Sequence, residues 1–401
     1  MSNQYDVMAA GHLCLDVIPR IPETGAREIG DILRPGKLVH VEDATMCTGG
    51  PVSNTGINMK TLGHDVCFCA RVGDDAFGKI TSGMLANAGN ADGIRKITGA
   101  ASSYTIAIAP PNIDRIFLHN PGTNDEFAPE DLDPAFIAQC RHFHFGYPPL
   151  MAGMFANDGE DLERVFRIAK ETGVTTSCDM ALPDPESPAG KANWRRILER
   201  ILPLVDLFLP SIEETLYMVE PETFLRMKQE HDGAELIDFL TADDYSRVAD
   251  TVLGLGTKVA LLKAGHRGLY IKTASNDALS SVESIRTGDL TNWSNRELWI
   301  PAFAVAEFGS ATGSGDTAIA GFLSAFLRGL PIEQTLRYGV CCGWQNVQAL
   351  DAISGTRSWD ETTSLLAQNM PLIDLPIETE GWRWNQKERI WAGPNDMLNV
   401  Q

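Results

Sequence analysis

Short apolar runs of strand length recur along this chain, and several stop at a glycine, aspartate or proline. Tyr5–Ala10 ends in Gly11, Val66–Val72 in Gly73-Asp74-Asp75, Val174–Cys178 at Asp179, Val205–Leu209 at Pro210, and Val259–Lys263 in Gly265. Helical patterns, such as Asp161–Thr172 and Trp194–Leu204, alternate with them. This alternation predicts an α/β fold, a mostly parallel sheet covered on both faces by helices. Ligands of such sheets bind beyond the carboxyl ends of the strands.

Two stretches break the pattern. Gly25–Thr48 is polar and punctuated by Gly and Pro, with alternation at Leu38-Val39-His40-Val41. Ser103–Ala109 and Arg115–His119 flank the turn Pro110–Asp114. They read as two hairpins, about 19–48 and 103–124, that pair into a small β-sheet over the strand ends. Residues 220–246 read as a charged insertion, and Asn276–Asn295 as a polar loop. The main domain runs over 1–375, and 376–401, with Trp382, Trp384 and Trp391, reads as a C-terminal extension without an assigned role.

The chain has 401 residues with 33 basic and 53 acidic side chains, a formal net charge of -20. That excludes a basic footprint for nucleic acid, and an anionic substrate must be held by local amides, a few cations and a metal ion. No signal peptide precedes the first strand, and no apolar run is long enough to span a bilayer. The eight cysteines lack zinc spacing and read as free thiols of a cytoplasmic protein.

The segment Gly309-Ser310-Ala311-Thr312-Gly313-Ser314-Gly315-Asp316 feeds an apolar helix, in which Ile319, Phe322, Leu323, Phe326, Leu327 and Leu330 share one face. Gly313 and Gly315 let the backbone approach an anion, and the helix N-terminus stabilises negative charge. Asp316 stands beside that anion, placed to take a proton from an attacking hydroxyl. The Gly-Lys-Ser/Thr of a Walker A loop is absent.

These residues carry a resemblance. Gly11-x-x-x-x-Asp16, Gly49-Gly50-x-x-x-Asn54, Arg71-Val72-Gly73-Asp74-Asp75-x-Phe77-Gly78, Lys263-x-Gly265-x-x-Gly268 and Thr312-Gly313-Ser314-Gly315-Asp316 follow one another over residues 5 to 355. In that order they resemble the ribokinase/PfkB family of sugar and nucleoside kinases. The resemblance implies a ribokinase-like three-layer sandwich with a β-sheet lid. It implies phosphoryl transfer from ATP to a sugar hydroxyl, with Asp316 as base and the amides of Gly313, Ser314 and Gly315 as anion hole. Asp16, Gly49, Gly50 and Asn54 would bind the sugar. A turn cap for Asp16 and a helix N-cap for Asn54 are the structural alternatives. Arg115 is a further substrate candidate, or a solvated hairpin charge.

Lys263, Gly265, Gly268 and Ser211 would meet the nucleotide. Ser211-Ile212-Glu213-Glu214 stands where the family has Asn-x-x-Glu, so Glu214, with Asp179 at a strand end, is the candidate for Mg²⁺; the alternative is a capping or surface acid. Ser310 occupies a place that is often Asp, in a region that binds a monovalent cation in some members, so K⁺ dependence is doubtful. The adenine pocket is expected near Leu336–Leu350, where Gly339, Cys341, Cys342 and Gly343 are small. His142-x-His144 reads as packing rather than as a metal pair. Lid hairpins of this family often pair between subunits, which implies a homodimer. Two other readings stay open, a nucleoside kinase and a catalytically silent sugar-binding regulator. A nicotinamide-linked oxidoreductase is the most distant one.

Overall fold

The computed structural model describes the chain apart from residues 1–3, 24, 112, 114–115, 284, 286–287 and 401, with backbone alone at 399–400. Its strands are β1 (Tyr5–Gly11), β2 (Cys14–Pro19), β3 (Ala44–Gly49), β4 (Val66–Gly73), β5 (Asn90–Ile97), β6 (Tyr104–Ile108), β7 (Ile116–Asn120), β8 (Cys140–Gly146), β9 (Thr175–Asp179), β10 (Leu207–Phe208), β11 (Val259–Lys263), β12 (Leu269–Thr273), β13 (Glu297–Ile300), β14 (Arg383–Asn385) and β15 (Ile390–Ala392). The longer helices are α1 (Pro51–Thr61), α2 (Ala76–Ala88), α3 (Glu160–Glu171), α4 (Trp194–Ile201), α5 (Ile212–Val219), α6 (Pro221–Glu230), α7 (Ala242–Gly254), α8 (Ser314–Leu327), α9 (Ile332–Asn346) and α10 (Trp359–Leu366).

Among the described residues the strands form two sheets. The large one has the order β14-β15-β13-β12-β11-β10-β9-β8-β1-β4-β5. From β5 to β11 every pairing is parallel, and beyond β11 every pairing is antiparallel. The chain runs outward from β1 in both directions, so the strand order reverses between β1 and β8. That reversal opens a crevice beyond the strand ends, the usual ligand position in an open α/β sheet. Gly11 of β1 lies opposite Gly146 of β8, which lies opposite Asp179 of β9. A Cβ on Gly11, whose φ is +114°, would come within 2.5 Å of the Gly146 carbonyl oxygen.

Side chains alternate along the strands and fill a core on each face. Met8, Ala10, Cys67 and Leu262 join Phe166 of α3, Ile197 of α4, Leu216 of α5 and Val248 of α7. Val7, Ala9, Phe68 and Leu261 join Val52 of α1, Leu85 of α2, Phe322 of α8 and Leu336 of α9. This is the three-layer α/β architecture that the alternation predicts.

The small sheet has the order β3-β2-β6-β7, its inner strands β2 and β6 parallel. Its first hairpin starts earlier than the sequence indicates, at Cys14. The alternating Leu38–Val41 stretch forms no strand, and Leu38 is 78% exposed. Residues 276–295 are not merely a loop either. They hold the short helices Asn276–Leu279 and Leu290–Trp293, and bury Leu279, Val282, Ile285 and Trp293.

Helix α8 is buried on all sides from Asp316 to Leu327 rather than along one stripe. A Cβ on Gly321 would fall 2.5 Å from the Tyr338 carbonyl oxygen, so glycine lets α9 lie against α8. The C-terminal extension completes the large sheet. Trp391 of β15 pairs with Trp299 of β13, and Trp382 lies 6.2 Å from both Tyr270 and Trp299.

Candidate active site

Asp316 sits in the first turn of α8, 1% exposed. Gly313, at φ +72°, is the N-cap, and a Cβ there would stand 2.2 Å from the Ala352 Cβ. The helix therefore needs glycine both for the turn and for the space. The Asn54 amide donates to Asp316 Oδ2 at 2.8 Å, and the Tyr147 hydroxyl donates to Oδ1 at 3.0 Å. Burial pushes the Asp316 carboxyl above its ordinary range, while the Lys263 ammonium and these two hydrogen bonds pull it back. The amide of Ser314 is already bonded to the Ala311 carbonyl at 3.2 Å. Gly315 lies beside Lys263, whose Nζ would be 3.5 Å from a Cβ there.

Asn54 is not the N-cap of α1; that position is Gly50, at φ +85°. The Asn54 side chain is thereby available to Asp316. A Cβ on Gly50 would meet His12 Nδ1 and the His12 carbonyl oxygen at 2.6 Å, and one on Gly49 would fall 2.3 Å from Asp16 Oδ2. Glycine is thus required by close approach at both positions. Asp16 lies opposite Cys47 of β3 and Thr105 of β6, accepts a hydrogen bond from Cys14 Sγ at 3.3 Å, and is raised by burial. It is not a turn cap; it faces a cleft of about 960 Å³ between the small sheet and the segments 308–312 and 350–354. Arg115 lies outside the described residues.

A second cleft, of about 600 Å³, is lined by Lys263, Gly265, Gly268, Ser314 and Gly315, and by the apolar walls Phe303, Val340, Trp344 and Val347. Both clefts border Ala311, so they meet at the α8 N-terminus. Gly265 and Gly268 have φ +51° and +93°, and a Cβ on Gly268 would strike the Ile300 carbonyl at 2.0 Å. Of the small α9 residues, Gly343 borders the cleft. Gly339 packs on Leu269 and Phe322, and Cys341 and Cys342 are core residues. The sequence marks the right helix, but most of the small positions serve helix packing.

Lys263 ends β11 with its Nζ 2.6 Å from Asp179 Oδ1. Burial works against the ammonium, but the carboxylates of Asp179, Glu214 and Asp316 outweigh it and raise Lys263. Asp179 Oδ2 is buried without a hydrogen-bond partner. Ser211 and Glu214 form a capping box at α5: Ser211 N–H donates to Glu214 Oε2 at 2.6 Å, and Glu214 N–H to Ser211 Oγ at 3.2 Å. Among the described residues no three His, Cys, Asp or Glu side chains form a metal cage. A Mg²⁺ ion bound chiefly through phosphates and one or two carboxylates needs none. The buried, unpartnered Asp179 Oδ2 and the Glu214 carboxylate are donors of the kind such an ion takes. His142 and His144 both bond the Ser177 hydroxyl, at 2.7 and 2.8 Å, which is core packing.

Sequence reasoning misses Tyr147 and the His12–His119 pair. Tyr147 follows β8 at φ +61°, rare for an aromatic residue. Its N–H donates to the Asp179 carbonyl at 3.1 Å. His12 Nε2 lies 3.4 Å from His119 Nε2 of β7, and burial, then His119, pushes His12 down to about 3. Single residues of this kind carry no spacing signal; only the tertiary fold brings Tyr147 to Asp316 and His12 to His119.

Residues 6–359 match the pfkB family carbohydrate kinase profile. The chain belongs to that family. It is a carbohydrate kinase, and its match spans the α8 N-terminus and every residue lining the two clefts except Ile373. An uncharacterized sugar kinase of Archaeoglobus fulgidus is 23% identical over 284 residues, 71% of this chain and 91% of the relative. Among solved structures, a fructokinase with bound ATP from Xylella fastidiosa superposes with a TM-score of 0.66 at 18% identity, covering 92% of this chain and 99% of that one. An Arabidopsis thaliana ribokinase complexed with ribose and ATP gives 0.65 at 16% identity, covering 90% and 98%. These likenesses establish the ribokinase-like fold. No described helix of this kinase is long and apolar enough to cross a membrane.

Proposed function

We propose that this kinase transfers the γ-phosphoryl group of ATP to a sugar hydroxyl, with Asp316 as general base. The observation that carries the reading is the meeting of two clefts at one helix N-terminus. The cleft walled by Phe303, Val340, Trp344 and Val347 suits a nucleotide, the one beneath the small sheet offers Asp16, Thr45, Ser310, Thr312 and Asp351 to the hydroxyls of a polyol, and a buried carboxylate lies where they join. Phosphoryl transfer depends on positioning and charge stabilisation more than on covalent chemistry.

In this reading Asp16, with the close backbone of Gly49 and Gly50, holds the sugar hydroxyls. Asn54 orients Asp316, which accepts the hydroxyl proton as the oxygen attacks. The amides of Gly313 and Gly315 meet the charge on the transferred group; Ser314 joins them once its bond to Ala311 opens. Lys263, Gly265 and Gly268 border the nucleotide phosphates. Glu214 and Asp179 would hold Mg²⁺, which when bound neutralises phosphate charge. Ser211 acts through the Glu214 cap rather than on the nucleotide. The small sheet closes the sugar cleft as a lid, and its edge strands pair two copies into a dimer.

The test is ADP release from Mg·ATP against pentoses, hexoses, ketoses, phosphosugars and nucleosides, with Asp316→Asn as the blank. Base-dependent turnover with one sugar supports the reading and supplies the substrate. Turnover with nucleosides alone moves the assignment to nucleoside phosphorylation, and full activity of Asp316→Asn sinks the base assignment.

A further inference from the structure

A cavity of about 360 Å³ lies apart from the α8 N-terminus, bounded by α9, the segment after α10 and the C-terminal hairpin. Arg337 enters from α9, and Lys387 and Arg389 from the turn between β14 and β15. No carboxylate belongs to the lining among the described residues, although the chain carries a net charge of -20. Three cations converging in so acidic a protein call for a compensating group.

The protein supplies only part of it. Glu388 Oε2 accepts from Arg337 Nη2 at 2.9 Å, and the Glu388 carbonyl accepts from the same nitrogen at 2.5 Å. Glu388 Oε1 lies 3.5 Å from Lys387 Nζ. Arg389 donates to Asn369 Oδ1 at 2.5 Å and to the Met370 carbonyl at 2.8 Å, both neutral acceptors. These bonds use two of the five N–H donors on each guanidinium. Arg389 and Asn369 both sit at φ +51°, uncommon for arginine and tolerated by asparagine. Burial and then the neighbouring Arg337 charge lower Arg389. Two forked guanidiniums and a lysine at the rim match the geometry and charge of a phosphate group. Apolar Phe303 and Leu372 also line the cavity and suit a short carbon skeleton. The volume is near the lower limit for small-molecule sites, too small for a nucleotide with its full phosphate chain.

We propose that this cavity is a second ligand site that binds a small phosphate monoester between Arg337 and Arg389, with Lys387 at its mouth. Phe303 also lines the nucleotide cleft, so the two sites share a wall.

The experiment is calorimetric titration of the full chain, saturated with Mg²⁺ and a non-hydrolysable ATP analogue. The probes are glycerol 3-phosphate, inorganic phosphate and glycerol. Expected are saturable one-to-one binding of glycerol 3-phosphate, weaker binding of inorganic phosphate and none of glycerol. Arg389→Gln weakens the monoester at least tenfold, and Lys387→Gln several-fold. Lys387 is 90% exposed along its side chain, so its variant keeps the test valid if Arg389→Gln fails to fold. Absence of saturable binding overturns the proposal, as does binding that both variants leave unchanged, which would place the probe in the catalytic cleft. Equal affinity for inorganic phosphate overturns the ligand class. Binding is read directly, so the result stands whether or not Asp316 is the base.

Discussion

Asp316 is flanked by two donors, and they act in different ways. Asn54 and Tyr147 bond different carboxylate oxygens, fixing the plane of the group, and both favour its ionised form. We expect Asp316→Asn to lower turnover by about 10²–10⁴-fold, the usual range for loss of a general base, with nucleotide affinity retained; initial rates and equilibrium binding of ATP check the two halves. Because burial raises Asp316, kcat/KM should fall as pH drops through its raised pKa, since only the ionised carboxylate accepts the proton. Tyr147→Phe removes a bond that favours the ionised form. The acid limb of kcat/KM should therefore move to higher pH, with about a tenfold loss on that limb, as for one hydrogen bond to a charged group. Activity should recover as pH rises. A uniform loss at every pH would instead mean that the hydroxyl only packs. Asp16, Asn54 and Asp316 are legible in the sequence because each belongs to a spaced glycine motif. Tyr147 is not, because it belongs to no such motif and meets Asp316 from 169 positions away only in the folded chain.

Elements are legible where local chemistry alone dictates them. The strands of the parallel core read as continuous apolar runs because they are buried on both faces. The Gly-rich turn before α8 reads as an anion site because its glycines serve the turn itself. The same reasoning goes astray where a residue is small or apolar for a tertiary reason. Gly339 and Cys342 of α9 are small because α8 lies against them. Val282 and Ile285, in a stretch that looks polar, are drawn into the core beside Leu279 and Trp293. Alternation at Leu38–Val41 has no neighbouring strand to pair with and stays exposed. The α8 start supplies a test at this scale. Gly313→Ala places a methyl group 2.2 Å from Ala352 Cβ at a φ of +72°. Destabilisation of about 1–3 kcal/mol is expected, read as a lower midpoint in denaturant. Activity should fall with it, because the amides and Asp316 move together. Unchanged stability with full activity would mean that the turn relaxes without disturbing the helix.

At the scale of the whole molecule, the C-terminal segment ties itself to the sheet by charge as well as by tryptophan packing. Arg296, 4% exposed along its side chain, donates to Asp396 Oδ2 at 2.9 Å, and Asp396 is 1% exposed. The same carboxylate oxygen accepts from the Glu297 amide at 3.1 Å, so Asp396 holds the start of β13. Glu333 is a second partner for Arg296, at 2.8 Å. Breaking a buried pair by removing one partner is costly because the remaining charge cannot return to water. Asp396→Ala should therefore destabilise the protein by about 3 kcal/mol, the lower end of that range, since Glu333 still compensates part of the Arg296 charge. The site lies at the antiparallel end of the sheet, away from the β1/β8 reversal. Turnover per folded molecule should then stay near that of the parent chain at low temperature while the unfolding midpoint falls. Loss of turnover without loss of stability would mean that the C-terminal strands shape the active site directly. A drop in both, restored together by excess ATP and sugar, would show that ligand binding and the sheet edge stabilise one cooperative unit.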